Sequence, residues 1–124
     1  MKYGLALIVD CHSFPSQPLP CDEDHSVPRP EFCLGMDSFH TPRALVRATT
    51  RRIKAMGYSL RINRPYAGTI VPMAFYQQDR RVVSIMIEIN RSLYMDESTG
   101  RKTSQFDTIK EQMQTLLASI REFQ

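Results

Sequence analysis

Two side chains in this sequence combine reactive chemistry with a suggestive position. His12 follows an apolar run in Asp10-Cys11-His12-Ser13, and Glu88 sits inside the otherwise apolar run Val82 to Ile89. A carboxylate in such a run is costly unless it is paired, linked to a metal or kept partly protonated. An imidazole and a carboxylate at neighbouring strand ends suit a metal ligand and a general base. The plainer reading is a hydrogen-bonded structural His12, with Glu88 paired to an arginine such as Arg91. Other candidates are weaker. Cys21, with Asp22 to His25 behind it, has irregular spacing for a metal site and reads as a solvated loop. His40, beside Thr41, reads as part of a helix N-terminus that could still line a pocket.

Those side chains need elements to hold them. Gly4 to Asp10 is apolar without alternation, which predicts a strand buried on both faces, with His12 just past its end. A loop from Cys11 to Pro30, rich in proline, serine and aspartate, follows; such long loops are usually functional. Phe32 to Leu34 reads as a short strand. A helix is expected from Thr41 to Met56, with Thr41 as N-cap, Pro42 at its first position and Gly57 just past its end. Its inner stripe is Leu45, Thr49, Ile53 and Met56. Tyr58 to Ile62 reads as a strand, Asn63 to Thr69 as a loop, Val71 to Tyr76 as extended chain and Val82 to Ile89 as the clearest strand. The last helix spans Gln105 to Glu122, with Ser104 and Asp107 resembling a capping box. Its apolar stripe runs from Phe106 to Phe123. This order gives one α/β domain over residues 1–124, with helices layered on a sheet. In open sheets of that kind ligands sit beyond the carboxyl ends of the strands, where His12 and Glu88 fall.

Composition narrows the function. The net charge of +3 is small and the charges are mixed, which argues against a nucleic-acid partner. The basic cluster Arg51, Arg52 and Lys54 reads as a solvated helix face. The longest apolar run, Leu5 to Val9, is too short to cross a membrane. Three cysteines without a C-x-x-C pattern suit free thiols in a reducing cytoplasm.

Four short motifs occur in series: Asp10-Cys11-His12-Ser13; Leu34-Gly35 with Asp37; Asn63-Arg64-Pro65-Tyr66-Ala67-Gly68-Thr69; and Glu88-Ile89-Asn90-Arg91-Ser92-Leu93-Tyr94-Met95-Asp96-Glu97. Together they resemble the N-formylglutamate amidohydrolase family. The resemblance implies a partial zinc-exopeptidase-like (phosphorylase/hydrolase-like) fold, related to the zinc carboxypeptidases, with a mixed sheet flanked by helices. It implies zinc-dependent hydrolysis of a linear amide, with N-formyl-L-glutamate giving formate and L-glutamate in histidine breakdown. On this resemblance His12 is a zinc ligand and Glu88 activates the water. Ser13, Asn63, Arg64, Tyr66, Gly68 and Arg91 belong to the substrate pocket, where Arg64 or Arg91 would hold a carboxylate.

The sequence departs from the family in one large respect. Family members are longer, and their first half carries a Pro-His-Ser-Gly motif and an acidic ligand, neither of which occurs here. A catalytic zinc normally has three protein ligands, and this chain offers one of those expected. The expectation is therefore the C-terminal half of such an enzyme, with zinc weakly bound or absent in this chain alone. Its small-molecule partner would be an N-acyl amino acid. Its protein partner would be a missing N-terminal half or a second copy in a homo-oligomer. The alternative is a catalytically inactive fragment, or an assembly or binding module.

Overall fold

The computed structural model describes residues 4–122. Along the chain it contains β1 (Ala6–Phe14), β2 (Phe32–Gly35), α1 (Arg43–Ala55), β3 (Leu60–Ile62), β4 (Val82–Asn90) and α2 (Phe106–Arg121). The strands lie in the order β1-β4-β2-β3. β1 runs parallel to β4, β2 runs parallel to β3, and β2 is antiparallel to β4, so the sheet is mixed.

Side chains alternate across a strand, and this divides the sheet into two unlike faces. Val83, Ile85 and Ile87 of β4 join Phe32 and Leu34 of β2 on the first. They pack against Leu45 and Ile53 of α1 and Leu116 and Ile120 of α2. Leu7 and Val9 of β1 sit at the margin of this core. The second face carries Asp10, His12, Phe14, Cys33, Gly35, Ser84, Met86 and Glu88. The two α-helices among the described residues lie on the first face, while loops cover the second, so among these residues the α-helices flank one side of the sheet. The loops are tied down by the Ser84 hydroxyl, which donates to Ile70 O at 2.7 Å, and by Tyr66, whose ring meets Phe14 edge-on.

Gly35 lets a loop approach this closely. A methyl group there would collide with the Gly68 carbonyl and the Met86 side chain. The Asn63–Thr69 loop therefore rests on the sheet at the one β2 position that offers no side chain.

Several local expectations are corrected. β1 is an edge strand with Leu7 to Asp10 half-buried, not a strand buried on both faces; the fully buried run is central β4. β1 extends to Phe14, which places His12 inside it, and the loop begins at Pro15. Pro42, not Thr41, stands at the N-cap of α1. The Thr41 hydroxyl donates instead to Ser84 O at 2.7 Å and accepts from Asp37 N at 2.9 Å. Val71 to Tyr76 is not extended: Phe75 N and Tyr76 N both donate to Pro72 O, a helical-type turn. Ser104 does not cap α2; Gln105 stands there without a side-chain bond, and Asp107 lies in the first turn. Gly57 does take the left-handed φ of 90° expected after α1. Phe123 of the expected apolar stripe lies outside the described residues.

Candidate functional site

Because β1 and β4 are parallel, their carboxyl ends meet at the same side of the sheet, and the register pairs His12 with Glu88. Paired residues on neighbouring strands share a face, at a strand spacing of about 4.8 Å. On the far side of β4, Glu88 pairs with Cys33 of β2. His12, Glu88 and Cys33 therefore form one row across three strands.

Glu88 is buried, and its Oε2 has no hydrogen-bond partner among the described residues. Burial pushes the Glu88 carboxyl above the usual carboxylate range; His12 opposes this, Asp10 adds to it, and Arg91 opposes it. His12 is exposed, and its Nε2 lies 2.7 Å from Asp10 Oδ1. A carboxylate only accepts hydrogen bonds, so Nε2 carries the proton. In the neutral imidazole Nδ1 then keeps its lone pair for a ligand. This arrangement, a carboxylate holding the back nitrogen of an imidazole, is how proteins orient metal-binding histidines.

The remaining expected site residues fall into four groups. Ser13 and Arg91 brace the strand ends: Arg91 Nε donates to Ser13 Oγ and an Arg91 Nη to Ser13 O, both at 3.3 Å. Asn63 and Gly68 shape the loop above the sheet. Asn63 has a φ of 56°, and its Oδ1 accepts from Met36 N at 2.9 Å and Gly68 N at 3.3 Å. Gly68 has a φ of 83°. Tyr66 is a structural anchor whose hydroxyl accepts from Arg29 and donates to Asp22, both at 3.1 Å. Arg64 lines an open cleft of about 690 Å³ that it shares with Glu23, Asp24 and His25.

His40 is buried with both ring nitrogens engaged. Nδ1 donates to Val82 O and Nε2 accepts from Gln77 N, each at 2.8 Å, so it is a brace for the Pro72–Asp79 turn. Among the described residues no group of three His, Cys, Asp or Glu side chains could hold a metal. The free Nδ1 of His12 and the unpaired Oε2 of Glu88 suit part of a metal-and-water site, but they do not close one.

Sequence reasoning missed three contributors. Asp10 was findable, since two residues before His12 in a strand is the same face. Cys33 was not, because only the β2–β4 register brings it to Glu88. Arg29 was not either. It is buried in an ion pair with Asp22 at 2.7 Å and lies against Phe14 and Tyr66, and no local pattern announces such long-range contacts.

A buried carboxylate thus stands beside an exposed, oriented imidazole at the carboxyl ends of parallel strands in an α/β fold. The N-formylglutamate amidohydrolase family model matches residues 1–95, and the chain belongs to that family. The crystal structure of N-formylglutamate amidohydrolase from Ralstonia eutropha JMP134 is similar to it, with 28% identity and a TM-score of 0.79. The match covers 98% of this chain and 45% of that one, so the chain spans less than half the length of that relative. No curated protein matches the chain.

Proposed function

We propose that the chain carries part of the active site of a zinc-dependent amidohydrolase, related in fold to the zinc carboxypeptidases, that cleaves the linear amide of an N-acyl amino acid. N-formyl-L-glutamate is the first substrate to test. The observation that carries this reading is the unpaired, buried Glu88 Oε2 in register with His12. His12 Nδ1 would hold the metal. A bound zinc ion would supply a water acidic enough to lose a proton near neutral pH. Glu88, with its carboxyl shifted up by burial, is suited to take that proton and return it to the leaving nitrogen. The water oxygen bonds to the carbonyl carbon as the C–N bond breaks, giving an acid and an amine. The three unpaired cysteines, Cys11, Cys21 and Cys33, support a reducing cytoplasmic setting, where histidine breakdown would use this step.

A second reading is an inactive fragment or an assembly module. It is favoured by the lack of a three-residue metal group among the described residues. Formate release from N-formyl-L-glutamate, measured with saturating zinc, separates the two. Hydrolysis that falls by roughly 10²–10⁴-fold in Glu88→Gln is the result expected of a general base. Turnover that ignores Glu88→Gln removes the catalytic assignment, and no release from the native chain favours the second reading.

A further inference from the structure

We propose that Asp24 competes with the substrate carboxylate for Arg64, making the loop after β1 a built-in brake on substrate binding; this rests on the reading of Arg64 as the holder of that carboxylate. Arg64 donates from Nε to Asp24 Oδ2 at 2.9 Å and from an Nη to Ser26 Oγ at 3.1 Å. Two acceptors on neighbouring nitrogens occupy the guanidinium as one incoming carboxylate would. Asp24 thus stands where the two-pronged contact to a substrate anion would form.

Asp24 is held in that position. Its Oδ1 accepts from Ser26 N at 2.9 Å, and its backbone carbonyl accepts from a buried Arg29 Nη at 3.1 Å. Arg29 is in turn fixed by Asp22 at 2.7 Å and by the Tyr66 hydroxyl. The chain reverses tightly there, with Leu19 N donating to Asp22 Oδ2 at 2.8 Å. The loop thus presents one carboxylate to Arg64 through a chain of contacts that ends on Tyr66, in the same Asn63–Thr69 loop as Arg64. The Arg64 side chain is 56% exposed, so a small anion can reach it without unfolding anything. Glu23 lines the same cleft and adds a second negative charge. An anionic substrate therefore meets a guanidinium already neutralised and flanked by like charge.

The brake predicts tighter binding when the internal anion is removed. N-formyl-L-glutamate is titrated into the chain and into each variant, with the heat of binding as the reporter. Asp24→Asn keeps an acceptor for Ser26 N and should bind roughly threefold to fivefold more tightly than the native chain, the range expected for an exposed ion pair. Ser26→Ala removes the other prong, should give a smaller gain in the same direction, and leaves the Arg29 anchor untouched. The double variant Asp24→Asn/Arg64→Ala should lose the gain. If both single variants bind no tighter than native while Arg64→Ala abolishes binding, the competition is wrong and Arg64 keeps its role. If the double variant binds as well as Asp24→Asn, the Arg64 reading itself fails. Absence of binding by every variant overturns both.

Discussion

Glu88 combines a costly environment with an open valence. Leaving a buried acceptor unpaired costs about 1–3 kcal/mol, and more when it is charged. Burial raises the carboxyl above its ordinary value, so the folded chain binds the extra proton between those two values. Stability from this group is therefore complete below the ordinary carboxylate range and is lost as pH rises through the folded value. In metal-free buffer Glu88→Gln should be more stable than the native chain near neutral pH, and the gap should close on acidification. Asp22, Asp24, Asp79 and Asp96 are shifted down by hydrogen bonds, to Leu19, Arg64, Arg81 and Ser98 first, and so lose stability in acid. Both proteins share that loss, so the difference between their melting curves isolates Glu88. A gap independent of pH would show that Glu88 is not held in its neutral-favouring site.

At the scale of elements, the site depends on register and close approach. The parallel pairing of β1 and β4 brings His12 to Glu88, and the bare Cα of Gly35 admits the Asn63–Thr69 loop. Gly35→Ala should force the Gly68 carbonyl and Met86 aside. Overpacking of this kind costs about 1–3 kcal/mol. Urea denaturation should show that loss, and the amide resonances of Asn63 to Thr69 should shift while those of α2 stay put. An unchanged midpoint would mean the loop is not seated on β2. The elements that could be read from sequence were those with strong local patterns: β4, the α1 stripe and Gly57. The misread ones had local patterns overridden by distant contacts. Thr41 looked like a cap, yet its hydroxyl is drawn to the Ser84 carbonyl of β4. Val71 to Tyr76 looked extended, yet it folds into a turn held by His40 through Gln77 N. Continuous apolar residues in β1 suggested a central strand, because its sequence cannot say that one side lacks a neighbour.

For the whole molecule, that missing neighbour is the main structural consequence. Among the described residues nothing pairs with the outer edge of β1, and its first half carries no charge to deter pairing. Leu5 is 46% exposed just before it. Open edges of this kind recruit other strands, and two-fold dimers are the commonest closed result. Light scattering on a sizing column should report a mass above the 14.3 kDa of one chain. A stable monomer that binds no apolar dye would show that the edge is protected. The pairing of His12 with Glu88 was legible at this scale because the strand-end rule needs only two residues and a direction. The ion pair of Arg64 with Asp24 was not, since it depends on how two loops settle over one face.

The most direct measurement of the central claim follows the three histidine side chains by nitrogen-resolved NMR during a zinc titration. His12 should respond first, at Nδ1, with Nε2 still protonated towards Asp10. His40 should stay silent, since both its nitrogens are already engaged. Binding should be weaker than at a closed three-ligand site and should vanish in His12→Ala. Tight stoichiometric binding that survives His12→Ala, with His25 as the residue that moves, would contradict the account.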